Sequence, residues 1–219
     1  MEASVYGQLN YKAPITIVDY GMGNLWSVKN AFLFLGVESQ FGNTPKQIRD
    51  AQSLVLPGVG SFRKAMERLR TSGLKEALRE AVLNRKKKIL GICLGMQLMA
   101  EKGFEDGESE GLALLPGTVE RFTKDELGCL KLPHIGFNKV AVAAEGILFR
   151  GLSPAADFYF AHSYRLLPIM DGGGSHQALC RYGVNFLAAY ESENVFGVQF
   201  HPEKSQTNGL RLIKNFLIA

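Results

Sequence analysis

The chain has 219 residues, 46% hydrophobic and 21% charged, with a formal net charge of +4. This is ordinary globular composition, enough for one sizeable core, and it excludes a disordered or low-complexity chain. No apolar run reaches membrane-span length and the first 14 residues lack the pattern of a signal peptide. Three scattered cysteines fit a reducing compartment, so a cytosolic address is expected, and the basic cluster from Arg85 to Lys88 reads as a solvated helix end rather than a nucleic-acid patch.

In chain order, ITIVDYG (15–21) predicts a buried strand ending in glycine, and NLWSVKNAFLFLG (24–36) places Leu25, Val28, Phe32 and Leu35 on one helical face. Thr44, Pro45 and Gln47 stand as N-cap, N1 and N3 of a short helix. SLVLPGVG predicts the next strand, followed by a long charged helical pattern that Gly73 divides in two. KILGIC predicts another buried strand and LGMQLMAEKG a helix that stops at Gly103. The second half reads as short strands at 111–122, 134–142, 157–167, 176–182, 185–192 and 195–203, closed by a helix over 209–219.

Continuous apolar strands alternating with helices predict an α/β fold. The expected architecture is a mixed, largely parallel central sheet flanked by helices, with an antiparallel extension. With no linker between the halves, one domain is expected over residues 15–219, behind a short extension at 1–14.

Cys93 lies where the KILGI strand hands over to a helix, between Gly91 and Gly95. This repeats the logic of a nucleophile elbow, with cysteine in place of serine and the backbone N–H of Leu94 facing any oxyanion formed there. On the local pattern alone, a buried structural thiol and a nucleophile weigh equally. A nucleophile needs a base and an orienting group. VFGVQFHPEKS offers His201 and Glu203, two residues apart at the end of an apolar strand, although a polar turn after a core strand explains the same letters.

Together, GICLGMQ and GVQFHPEKS resemble the class I, or triad, glutamine amidotransferases. VDYGMGNLWSV, LPGVGSF, PHIGFN and FYFAHSY are similar, in order and spacing, to the glutaminase subunits of imidazole glycerol phosphate synthase, the HisH type. The resemblance covers nearly the whole chain from Ile15. It implies hydrolysis of L-glutamine through a cysteinyl thioester, with Cys93 as nucleophile, His201 as acid and base, and Glu203 orienting the imidazole. No cofactor or metal is implied. Gly58 and Val59 would form a flipping oxyanion peptide together with the Leu94 N–H. Gly60, Gln97, Glu105, His162, Ser163 and Tyr164 would surround the substrate.

The resemblance further implies a heterodimer with a cyclase subunit of (β/α)8-barrel form, which receives the ammonia and uses it on a phosphorylated ribulosyl aminoimidazole carboxamide nucleotide. Asn24, Phe137 and Lys204 match positions at that interface, with Phe137 standing where the family commonly has tryptophan. Two alternatives stay open: a paralogous glutaminase feeding another synthase, such as one that aminates or amidinates a surface sugar, and a catalytically dead partner-binding scaffold. His134 and Asn138 are also positions of the family motif PHIGFN, although a turn beside the site explains them equally well. His176 reads as an exposed loop residue, and Cys129 and Cys180 as core or half-buried thiols rather than metal ligands.

Overall fold

The computed structural model describes residues 11, 13–142, 146–170 and 174–219, so most of the 1–14 extension lies outside the described residues. The first half alternates strand and helix: β1 (Ile15–Val18), α1 (Leu25–Phe34), β2 (Ser39–Gly42), α2 (Pro45–Asp50), β3 (Ser53–Leu56), α3 (Phe62–Thr71), α4 (Leu74–Arg79), β4 (Lys88–Ile92) and α5 (Leu94–Leu98). A π-helical turn, Glu80–Asn84, extends α4. The second half carries β5 (Lys102–Gly103), β6 (Ser109–Glu110), β7 (Thr118–Arg121), α6 (Lys124–Leu127), β8 (His134–Val142), β9 (Ala155–His162), β10 (Tyr164–Leu166), β11 (His176–Tyr182), β12 (Val184–Ser192), β13 (Val195–Val198) and α7 (Gln206–Ile218).

Nine strands form the main sheet in the order β2-β1-β3-β4-β13-β12-β11-β8-β9. The contiguous stretch from β2 to β13 is parallel and the remainder antiparallel. Strands β1, β3 and β13 are buried at every position, which is why their sequences are predominantly apolar rather than alternating, with Thr16 and Ser53 as buried polar exceptions. On one face Phe32 of α1 and Leu212 and Phe216 of α7 pack with Ile15, Ile17, Val55 and Leu90. On the other, Phe62, Leu69 and Leu78 of α3 and α4 pack with Val18, Leu54, Leu56 and Ile89. A second sheet, β10-β7-β5-β6, lies at the side. Among the described residues no helix is long and apolar enough to cross a membrane.

The expected fold class and most elements are present. Thr44 caps α2 with a reciprocal capping box to Gln47, and Gly73, left-handed at φ 72°, separates α3 from α4. Four local expectations are corrected. The helix after Cys93 ends at Leu98, and Gly103 belongs to β5. Continuation is blocked because the returning chain takes the helix's acceptors: Leu112 N–H bonds Leu98 O, Leu114 and Leu115 bond Met99 O, and Ala113 bonds Ala100 O. Segment 157–167 is two strands in different sheets, broken at Ser163. His176 is half-buried and opens β11. Cys129 is exposed after α6, whereas Cys180 is buried.

Candidate active site

The site is built where β4 meets α5. Cys93 has φ 53° and ψ −111°, a strained conformation for a residue with a Cβ, and it is held there by Cys93 N–H to Val198 O at 2.8 Å and Gln97 N–H to Cys93 O at 3.2 Å. Gly95 is required by the same packing: a Cβ there would stand 1.7 Å from Leu56 O. The thiol is only 6% exposed, with Gln199 Nε2 at 3.7 Å from Sγ.

The second half of the machinery comes from the chain beyond β13, the parallel neighbour of β4. His201 and Glu203 are brought side by side by a 3-10 turn, Pro202–Lys204, rather than by strand alternation. His201 Nδ1–H donates to Glu203 Oε1 at 2.8 Å, and both side chains are almost fully buried. This bond turns Nε2 away from Glu203, and Cys93 lies close enough to act on the imidazole's titration. Burial alone would lower the imidazole pKa; the interactions with Cys93 and Glu203 outweigh it and raise the pKa to about 10.

A cleft of about 340 Å³ opens over Sγ. Its walls include Val59 and Gly60, Leu94 and Gln97, Glu105, and the run His162, Ser163 and Tyr164. Gly58 sits behind the wall, and a Cβ on it would lie 2.3 Å from the Tyr20 hydroxyl and 3.1 Å from Leu94 Cβ.

The sequence model of the family described as glutamine amidotransferase class-I matches residues 16–219. The chain is a class I glutamine amidotransferase. It is 45% identical to the imidazole glycerol phosphate synthase subunit HisH 1 of Campylobacter jejuni over 202 residues, 92% of this chain and 98% of that one. It is 44% identical to subunit HisH of Moorella thermoacetica over 207 residues, 93% of each chain. A solved glutamine amidotransferase shares the fold at a TM-score of 0.71 and 20% identity, across 93% of this chain and 97% of its own.

Within the amidotransferase cleft, the polar walls are held by internal bonds. Gln97 Nε2 donates to Tyr164 O at 2.8 Å and to Gln199 Oε1 at 2.9 Å, so both amide hydrogens are spent and its oxygen is the atom left for a ligand. Glu105 Oε2 accepts from Phe62 N–H at 2.8 Å, at the start of α3, and burial pushes its carboxyl pKa up. Its acidic neighbours are turned elsewhere, Asp106 to Ser61 and Glu108 to Lys102. His162 has both ring nitrogens engaged within the protein, to Tyr164 O at 2.8 Å and His134 at 3.0 Å, so its side chain supports the wall rather than presenting a free donor.

The expected partner-side residues fall in two places. Phe137 is 52% exposed and meets Tyr159 edge-on at 5.6 Å, with Lys204 Nζ 5.7 Å from the centre of the same ring. Asn24 caps α1 by accepting from Ser27 N–H at 3.3 Å, and α1 packs against the turn that carries Lys204. Sequence reasoning missed Tyr20 and Gln199. Tyr20 was absorbed into the reading of a strand end, yet its hydroxyl donates to Pro57 O at 3.0 Å, at the base of the 57–60 loop. Gln199 had a usable signal, a lone amide in the apolar run VFGVQF, and it is fully buried. Among the described residues no group of three or more His, Cys, Asp or Glu could hold a metal ion.

Proposed function

We propose that this chain is the glutaminase subunit of an imidazole glycerol phosphate synthase and works in the cytosol, with residues 15–219 as its catalytic domain. The observation that carries the chemistry is Cys93, strained at the head of α5 and lining an open cleft, with the buried His201–Glu203 pair on the chain that leaves the neighbouring strand β13. Identities of 44–45% to HisH subunits over nearly the whole chain support the pathway.

In the reaction, Cys93 Sγ attacks the side-chain amide carbon of L-glutamine. The resulting oxyanion is met by the backbone N–H of Leu94 and one from the Gly58–Val59 loop. His201 takes the Cys93 thiol proton as Sγ attacks and delivers it to the departing nitrogen, releasing ammonia and leaving a γ-glutamyl thioester. It then takes a proton from water as that water attacks the thioester, and returns it to Sγ as glutamate leaves. Glu203 holds the imidazole by its Nδ1–H throughout. Gly60, Gln97, Glu105, Ser163 and Tyr164 receive the α-amino and α-carboxylate end of glutamine, with His162 behind them.

The ammonia passes to a synthase partner, a (β/α)8-barrel cyclase docked on Asn24, Phe137 and Lys204, so that it is not protonated and diluted in solvent. The test is glutamate release by the purified chain, alone and with the cyclase and its nucleotide, with Cys93→Ala as blank. Strong Cys93-dependent stimulation by both additions is expected. Turnover indifferent to the cyclase would move the chain to another synthase, and no turnover under any condition would refute a glutaminase.

A further inference from the structure

His134 and Asn138 belong to none of the steps above, yet they occupy the inner face of β8 while Ile135 and Phe137 point outward, as strand alternation requires. His134 is 3% exposed and stacks on Tyr182 at 3.9 Å and on Phe160 at 4.7 Å. The β8–β9 register sets it opposite His162, and the two rings bond at 3.0 Å.

The direction of every bond in this group is fixed from its ends. Tyr164 O can only accept, so His162 Nδ1 carries the hydrogen at 2.8 Å and its Nε2 is bare. His134 Nδ1–H therefore donates to that Nε2, which leaves His134 Nε2 bare to accept from Asn138 Nδ2 at 3.3 Å. The Asn138 amide cannot be turned over, because Nδ2 also donates to Arg181 O at 3.1 Å and Oδ1 accepts from Lys139 N–H at 2.8 Å. The result is one polarised chain from Asn138 through both imidazoles to the Tyr164 carbonyl, which also receives Gln97.

The chain ends where the backbone most needs support. Ser163 lies between β9 and β10, strands of two different sheets, and the backbone of the turn that lines the cleft is tied to the second sheet by one long bond, Phe122 N–H to Ser163 O at 3.3 Å. We propose that His134 is a positioning residue for glutamine: by fixing the His162 tautomer it holds the Tyr164 carbonyl and the Ser163 turn in the wall that receives the substrate. The inference rests on the glutaminase reading above.

The test uses two substitutions in the complex with the cyclase. His134→Phe keeps the ring stack and loses both polar contacts. His134→Gln restores one donor toward His162 and one acceptor toward Asn138. The Phe variant is expected to raise the KM for glutamine about tenfold, with kcat within about twofold, and the Gln variant to recover most of that loss. Calorimetric titration of glutamine into the same variants carrying Cys93→Ala reads the binding without turnover and should weaken in parallel. Nitrogen-15 spectra of the wild type, which need no activity, should show both rings as Nδ1–H tautomers. An Nε2–H tautomer at either ring overturns the chain. An unchanged KM in the Phe variant, or a defect that Gln does not relieve, overturns the positioning role even where glutaminase activity is intact.

Discussion

Tyr20 and Pro57 are 37 residues apart in sequence and joined by one buried hydrogen bond, phenol to carbonyl at 3.0 Å. The bond fixes the peptide that precedes Gly58, and Gly58 has no room for a Cβ beneath the same hydroxyl. Burial, reinforced by the charge of Cys93, pushes the phenol pKa up, so Tyr20 stays a donor throughout the working pH range. Tyr20→Phe removes the anchor and leaves the ring in place. Turnover should fall about tenfold with KM for glutamine unchanged, because an oxyanion donor acts in the transition state. Alkylation of Cys93 by iodoacetamide forms no oxyanion and should proceed at the wild-type rate. Wild-type kcat in this variant would sink the anchoring role.

Glu203→Gln tests what keeps the proton on His201. The raised pKa of about 10 depends on Cys93 and Glu203 together, so removing the carboxylate charge should bring the His201 midpoint down. The folded pKa lies above the ordinary imidazole value near 6.5, so the stabilisation is fully present below that value and disappears as pH rises through about 10. The variant should move this alkaline dependence to lower pH and weaken it, and its kcat should drop on the order of 100-fold or more through loss of the oriented imidazole. Histidine proton spectra followed from pH 6 to 11 provide the check; an unmoved midpoint would assign the shift to Cys93 alone.

What could be read from the letters follows the reach of the interactions. Ile15–Val18, Ser53–Leu56 and Val195–Val198 were legible as strands because two-sided burial writes itself as a predominantly apolar, non-alternating run. The α2 start was legible because Thr44 and Gln47 satisfy each other locally. The same Thr-x-x-Glu logic at Thr123 and Glu126 begins α6 and went unread, since a four-residue helix gives no periodicity to support it. The early end of α5 was not legible: it is decided by residues 111–115 competing for its carbonyls across a loop. In the site, Cys93 and the His201–Glu203 pair are local motifs, but their meeting depends on β13 lying beside β4. The His134–His162 pairing depends on the β8–β9 register, which no short motif encodes.

The two buried histidines make the fold acid-sensitive. Burial holds His134 down at about 4 and, with help from neighbouring positive charges, His162 at about 3. Both lie below the unfolded value near 6.5, so the unfolded chain binds more protons as pH falls from 6.5, and stability declines over that range. The slope approaches on the order of 1 kcal/mol per pH unit for each histidine. His134→Gln removes one of these groups while keeping its hydrogen bonds. Urea denaturation at pH 7.5 and pH 5 should show a smaller loss for the variant than for the wild type; equal losses would place the acid sensitivity elsewhere.

Gly95→Ala asks how tightly the elbow is packed. The added methyl would stand 1.7 Å from Leu56 O and 2.7 Å from Leu56 C, and this backbone belongs to β3 in the middle of the parallel sheet. Neither side can yield cheaply, because Cys93, the N-cap of α5, follows directly on β4 and is tied to β13 through its N–H to Val198 O. The helix must therefore lift from the sheet, at a cost of more than about 3 kcal/mol, and the strained geometry of Cys93 relaxes with it. The expected result is a lower urea midpoint together with loss of Cys93-dependent glutamate release. Gly174→Ala is a suitable control, because a Cβ there meets nothing within 4 Å, although its φ of 85° carries a small local cost. A Gly95→Ala protein as stable and active as this control would mean that the elbow tolerates a wider helix–sheet spacing than the contacts between Gly95 and Leu56 imply.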